Sequence, residues 1–493
     1  MIGRISVLAF LLAPGFASGA APAVKDAELK EIIEAARVAW KIPGLSVAIV
    51  KGGKVIHLAG YGSKSLDKDD PVTPDTLFPL ASCTKTFTSA LIASLADSGD
   101  LAWDDPVRKH LPTFRLSDSE ADKLAMVRDL LAHRTGLGGH DLLWYRAPWD
   151  ADEVLRRAAK LPLTAPFRGG YQYSSIPVTA AGKAAENRTG KTYDELVRER
   201  ITGPLGMKSA TFTTVEARKN PDRPKGYELR GGKVIPMAEY DAREPDAAGS
   251  MSASVRDLAT WVQFHLNDGV HAGKRIVSAK NLKETRQPHT PMRREGLIAD
   301  IYPESKQVSY ALGWVVYDHR GKLVVAHGGI IDGFRVQITL LPEEGLGFAL
   351  MNNLHETKAN IALTNSLIDR ILGLDAKDWT EYYRGLDGAE AKAKAEAKEK
   401  RDRERKPEVK PLASLETHAG EYEHPAYGTG KVKLDGGKLV WEWSSFRVPL
   451  EHWQGETFRA TSGFFADELF EFTATDADGV REFNQRGVIF KKK

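Results

Sequence analysis

Apolar positions along the chain switch between helical and strand spacing. From Asp26 to Trp40 they recur on one helical face. Leu45-Ser46-Val47-Ala48-Ile49-Val50 then reads as a strand, Lys51-Gly52-Gly53-Lys54 as a turn, and Val55-Ile56-His57-Leu58 as a second strand. The stretch from about Ser82 to Gly269 is mainly helical, with Gly and Pro gathered in its loops. Strands return at Lys322 to His327, Phe334 to Leu341 and Gly347 to Asn352, and a helix follows from Ala359 to Leu372. This order predicts an α+β fold: one antiparallel sheet built from both chain ends, flanked by helices, with an inserted helical lobe. A cleft is expected where the two lobes meet.

The pattern changes again near the end. From Ala389 to Lys406 the residues are Ala, Glu, Lys and Arg, and pairs such as Glu390 with Lys394 and Glu396 with Lys400 suit an exposed helix. Pro407 and Pro411 close it. Lys431 to Leu434, the turn Asp435-Gly436-Gly437, and Leu439 to Trp443 then form an alternating hairpin, with further short strands to Phe490. The expected divisions are a main domain over 24–380, a charged helical linker over 381–411 and a small all-β barrel over 412–493.

Composition changes this picture little. Lys and Arg total 69 and Asp and Glu 66, a net charge of +3, and acidic residues are mixed through every basic stretch. Nucleic acid is therefore not an expected partner. The N-terminus does add something. Arg4, the apolar run Ile5 to Ala13 and small residues from Gly15 to Ala23 follow the order of a secretory signal. Residues 1–20 are expected to be removed after Ala20, leaving a periplasmic or secreted protein. No later stretch is apolar over the roughly 20 residues needed to span a bilayer. The single cysteine, Cys83, allows no intramolecular disulfide.

Three clusters can carry chemistry. Ser82-Cys83-Thr84-Lys85 opens a helical stretch in which Phe87, Leu91 and Leu95 share one face. A Ser three residues before a Lys on a helix lies one turn away on the same side. The amine can activate a hydroxyl that is otherwise a weak nucleophile, and the helix N-terminus favours a developing oxyanion. Tyr173-Ser174-Ser175, after Arg168-Gly169-Gly170, offers a phenol that an ammonium could turn into a general base. His327-Gly328-Gly329 ends a strand, where two glycines let backbone approach a ligand and the Ile330 N–H could face an oxyanion. No metal or cofactor motif is expected. His355-Glu356 starts like a zinc-protease helix but has Ala359 where the second His belongs, and His133 and His140 lack ligand company.

In this order the three clusters resemble the serine β-lactamase and penicillin-binding family, nearest its branch of class C β-lactamases, DD-peptidases, D-aminopeptidases and related esterases. Other segments agree: Ile42-Pro43-Gly44-Leu45-Ser46, Asp75-Thr76-Leu77-Phe78, Asp129 to Leu137, Gly203-Pro204-Leu205-Gly206-Met207 and Ser254 to Ala259. The resemblance spans roughly Val24 to Leu374 and implies the β-lactamase/transpeptidase-like fold. It further implies Ser82 as nucleophile, Lys85 and Tyr173 as proton-transfer partners, a covalent acyl-enzyme, and substrate contacts from His327, Gly328, Gly329, Ile330 and Ser175. Two positions depart from the pattern. Ser175 replaces the Asn of Tyr-x-Asn, and His327 replaces the Lys of β-lactamases, which weakens the hold on a substrate carboxylate. The segment from Gly420 to Trp453 is similar to a lipocalin-like barrel appended to some of these hydrolases. The expectation is an exported serine hydrolase of amide or ester bonds in a small-molecule or peptide substrate, first of all D-amino-acid or peptidoglycan-like peptides. A carboxylic esterase or weak β-lactamase, and a penicillin-binding sensor that acylates without turnover, are the alternatives. The oligomeric state is open.

Overall fold

The continuous apolar run Leu45 to Val50 lies in β1 (Gly44–Lys51), which is buried from Gly44 to Val50 because both of its faces are covered. Leu45, Val47 and Ile49 meet Leu29 and Ile33 of α1 (Asp26–Ala39) in one core. Ala48 and Val50 belong to a second core on the other face. A computed structural model of the protein, describing residues 24–242, 246–475 and 479–493, shows how the rest assembles around this strand. The expected signal segment 1–20 lies outside the described residues.

The remaining strands of the main sheet are β2 (Lys54–Gly62), β3 (Thr290–Met292), β4 (Val308–Tyr310), β5 (Val315–His319), β6 (Lys322–Ile331), β7 (Phe334–Leu341) and β8 (Leu346–Asn352). They form an eight-stranded antiparallel sheet in the order β2-β1-β8-β7-β6-β5-β4-β3. Both chain ends contribute, as the sequence predicts. On one face lie α2 (Thr84–Asp97), α3 (Ser175–Thr189) and α4 (Val255–Leu266). The helices α1 and α5 (Ala359–Leu372) cover the other face. Every residue of α2 from Thr84 to Leu95 is buried, so α2 is the central helix of its lobe. Its Phe87 ring stacks on Trp261 of α4 at 4.0 Å.

The 26-residue helix α6 (Trp379–Glu404) begins before the expected linker and belongs partly to the main domain. Trp379 and Tyr383 are fully buried, and the Trp379 indole donates to Asp369 at 2.7 Å. The boundary expected at 380/381 therefore falls inside a helix whose first turns anchor to the main-domain core; only its later turns are solvated.

The chain then closes an eight-stranded barrel: β9 (Gly420–His424), β10 (Gly428–Asp435), β11 (Lys438–Trp443), β12 (Phe446–Gln454), β13 (Thr457–Ala460), β14 (Leu469–Thr475), β15 (Gly479–Gln485) and β16 (Val488–Lys492). The β10–β11 turn places Gly436 and Gly437 at φ +56° and +77°, the left-handed region a tight hairpin requires. Aromatic rings fill the barrel interior; Trp441 packs against Phe465, Phe470, Phe483 and Phe490 at 5.3–5.8 Å. This core is continuous with Leu143, Val154, Ala158, Leu161 and Ile176 of the main domain. The two units are thus fused through buried apolar surface.

Candidate active site

The strand Leu77–Pro79 pairs with Ser252–Ser254, and the chain then makes a single turn, Ala81–Cys83, that leads straight into α2. Ala81 sits at φ +46°, a region L-residues occupy at a cost of about 1–3 kcal/mol. The bend leaves Ser82 half-buried between two buried neighbours. The turn is held against β6 by a close approach: a Cβ on Gly329 would lie 2.2 Å from the Leu80 carbonyl oxygen. Only glycine fits there. Cys83 points the other way, its thiol donating to the His327 carbonyl at 3.2 Å, and burial pushes that thiol up to about 12. It is a packing residue.

One helical turn on, Lys85 is fully buried. Its Nζ donates to Ser82 Oγ at 3.1 Å, to Ser175 Oγ at 3.3 Å and to the Ala248 carbonyl at 2.8 Å. Tyr173 Oη donates to the same Ser82 Oγ at 2.9 Å, and the ammonium lies 5.1 Å from the Tyr173 ring centre. Ser82, Lys85 and Tyr173, far apart in sequence, therefore converge on one oxygen. Ser175, expected as a substrate contact, is buried and turned toward Lys85. It accepts from the ammonium because it opens α3 on the side facing α2.

Tyr173 is positioned by two loops zipped together. The Arg168 N–H donates to the Arg134 carbonyl, and the Gln172 N–H to the His133 carbonyl, both at 2.8 Å. Both loops are tied to the fully buried Asp129 carboxylate, which accepts from Arg134 at 2.5 Å and Arg168 at 2.7 Å. His133 packs between Tyr173, tilted at 4.3 Å, and Tyr310, edge-on at 4.4 Å. The sequence reading missed Tyr310, which comes from the Tyr310-Ala311-Leu312-Gly313-Trp314 segment. The available signal was Gly313: it has φ +83°, and a Cβ there would lie 2.7 Å from the Lys85 carbonyl oxygen.

The third cluster stands on β6. The neighbour β5 pairs only as far as Ala326, so residues 327–331 bond on one side, to β7. The turn Asp332-Gly333 is closed by the Ile331–Phe334 pair. Alternation along an antiparallel ladder then turns the Ile330 N–H outward, to the free edge that approaches the Ser82 turn. Gly328 and Ile330 are exposed on this strand. His327, an expected substrate contact, begins this segment. It is buried, its Nδ1 pairs with the Gly328 carbonyl at 2.7 Å, and its Nε2 pairs with the Tyr310 hydroxyl at 2.8 Å. A carbonyl only accepts, so Nδ1 carries the proton and Nε2 accepts from Tyr310. Burial, reinforced by the Lys85 ammonium, pushes this imidazole down to about 3. His327 positions the β6 edge as a neutral group. The nearest strand-borne cation is Arg335, paired across the ladder with Ile330 and hence on the same sheet face as Gly328 and Ile330. The space above Gly328 is open: only the Val336 carbonyl oxygen, at 3.8 Å, lies within 4 Å of where its Cβ would be.

This electrostatic arrangement has a consequence for stability. Burial also holds His133 and His265 well below the usual imidazole range. Between the unfolded value of about 6.5 and the depressed folded values, the unfolded chain binds protons that the fold refuses. Stability from these three groups is complete above about pH 6.5 and falls as the pH drops, by up to about 1.4 kcal/mol per unit for each. Urea midpoints are expected to be flat from pH 7 to 8 and to fall steeply from pH 6.5 to 5. A midpoint independent of pH across that lower range would show that these imidazoles are protonated within the fold.

Comparison with known proteins agrees with this geometry. Residues 29–371 match the Beta-lactamase family, and residues 404–487 match a domain of unknown function, DUF3471. Unguisins hydrolase ungD' of Aspergillus campestris is 31% identical over 429 residues, covering 82% of this chain and 76% of the relative. Among solved structures, the D-amino acid amidase of Ochrobactrum anthropi SV3 is 26% identical with a TM-score of 0.56, covering 70% of this chain and 98% of that one. The octameric penicillin-binding protein homologue from Pyrococcus abyssi shares the fold over 94% of this chain and 99% of its own, with a TM-score of 0.61 and 21% identity.

Proposed function

The chain belongs to the beta-lactamase family of serine hydrolases, and on that premise we propose that it is an exported hydrolase of amide or ester bonds, acting first of all on peptides that contain D-amino acids. The observation that carries this reading is the shared Ser82 oxygen, which touches both Lys85 Nζ and Tyr173 Oη. In the reactive protonation state one of these bonds reverses and Ser82 donates its proton. Oγ then attacks the substrate carbonyl carbon, and the N–H groups of Ser82 and Ile330 receive the oxyanion. The proton passes to the departing amine or alcohol, leaving an acyl ester on Ser82 that water cleaves. Either Lys85 or Tyr173 can take the proton, since both touch the same atom. The neutral, enclosed His327 supports a preference for uncharged amides and esters. The relationship to a D-amino acid amidase supports the stereochemistry. Export rests on the N-terminal pattern of residues 1–20.

One observation favours a second reading. Arg335 forms no ion pair within 4 Å among the described residues and shares a sheet face with the open space above Gly328. A carboxylate-bearing substrate, including a β-lactam, would find its cation there. Rates on D- and L-amino-acid amides, short esters and a chromogenic cephalosporin test both readings. Turnover of D-amides above the other classes is expected, with acyl-enzyme breakdown fast enough for many cycles; a single burst without turnover would make the protein a sensor. Arg335→Ala is expected to lower kcat/KM for the cephalosporin about tenfold relative to the amides, the scale of one charge-assisted hydrogen bond. An unchanged ratio would leave the second reading without support.

A further inference from the structure

One loop of the barrel packs on Tyr145 of the main domain. Gly463–Phe465 makes a single turn between β13 and β14. Phe465 is fully buried against Trp441 and Phe446. Phe464 lies edge-on to it at 5.1 Å and is 46% exposed. Its ring lies 5.4 Å from Tyr145 of the main domain and 5.5 Å from Phe446. Tyr145 in turn lies 5.3 Å from Tyr240.

This row of rings is tied to the catalytic strand. Tyr145 Oη donates to Asp332 Oδ1 at 2.6 Å, and the Tyr240 backbone N–H donates to the other oxygen of the same carboxylate. Asp332 opens the β6–β7 turn, two residues and about 7 Å beyond Ile330. Ile330, itself 36% exposed, precedes Asp332 by two residues; Tyr145 and Tyr240 hold Asp332, and Phe464 packs on Tyr145. A lone exposed ring is ordinary. A ring packed on the tyrosines that hold the turn just beyond Ile330 is not isolated.

The wall is rigid. Ser445 Oγ of the barrel donates to the Arg146 carbonyl at 2.6 Å, and both Arg146 and Ser444 hold φ +55° at this junction. The Arg157 guanidinium donates to the Ala426 carbonyl at 2.9 Å, and the shared apolar core lies beneath. The barrel is therefore joined to the main domain here by hydrogen bonds and by shared apolar core.

Direction follows from the chemistry. The leaving atom must sit beside Lys85 and Tyr173, which return the proton. The acyl chain then runs the other way, along the free edge of β6 toward Asp332. We propose that Phe464 is a specificity-determining residue: with Tyr145 and Tyr240 it forms an aromatic wall that receives an apolar side chain two or three residues into the acyl part of a peptide substrate. This deepens the peptide-hydrolase reading above and rests on it.

The test compares two activated esters, so that it reads the wall even if amides prove not to be substrates. One is p-nitrophenyl acetate; the other is the p-nitrophenyl ester of acetyl-Phe-Leu-D-Ala. Wild-type enzyme should prefer the extended ester, and Phe464→Ala should lower the ratio of kcat/KM, extended over acetate, about tenfold. Phe464→Leu, which keeps apolar contact, should retain most of the ratio and guards against a misfolded Ala variant, whose melting temperature is measured alongside. A ratio unchanged in Phe464→Ala, or no wild-type preference for the extended ester, overturns the proposal. Failure on D-amides with a Phe464-dependent ester ratio would instead count against the amide reading alone.

Discussion

Replacing Ser82 with Ala should abolish turnover and leave the fold intact, with kcat falling by roughly 10⁴- to 10⁶-fold, the range for removal of a serine nucleophile. The side chain is half-buried and its hydroxyl only accepts, from Lys85 and Tyr173. Without it Lys85 still donates to Ser175 and to the Ala248 carbonyl, so no buried charge is orphaned. The melting temperature should therefore change by no more than a few degrees, equivalent to about 1 kcal/mol. A fluorophosphonate probe should add its mass to the wild-type peptide containing Ser82 and to no other. Labelling elsewhere, or a variant that keeps its rate, would remove Ser82 from the centre of the mechanism.

Tyr173→Phe should cost about 10²–10⁴ in kcat, the usual weight of one proton-transfer group. The substitution deletes only the hydroxyl. The ring keeps its contacts with His133 and with Tyr310, 6.4 Å away, so the loop that carries it stays in place. Single-turnover acylation, read as release of nitrophenol from an active ester, is the measurement that isolates the step. An amide substrate should suffer more than an ester with a good leaving group, because only the amine needs a proton to depart. If the variant acylates within a factor of ten of wild type, Lys85 carries the proton alone and the phenol merely packs.

Much of this protein was legible in its residues. The helix–strand–helix–strand order predicted a sheet made by both chain ends, because each long element keeps its own period over several turns or residues. The strands β3, β4 and β5 escaped, being only three to five residues long. Their pairing is set by the neighbours they add to, and three residues cannot display a period. The border expected at 380/381 falls inside α6 for a related reason. Charge along α6 is continuous in sequence, and nothing local says that Trp379 and Tyr383 dock on the sheet before the helix leaves it.

At the site, the sequence by itself singled out the expected reacting groups: a serine one helical turn from a lysine, a tyrosine, and a glycine-rich strand end. Those identities are chemical and need no coordinates. What they face is a tertiary matter. Only the packed structure decided that Ser175 turns to Lys85, that His327 is enclosed and neutral between Tyr310 and the Gly328 carbonyl, and that Phe464 of the barrel packs on Tyr145 of the main domain. Protonation and substrate contact depend on burial and on partners contributed by distant segments. Residues 310 and 327, or 145 and 464, carry no mutual signal along the chain, because the contacts that couple them exist only once the core has closed.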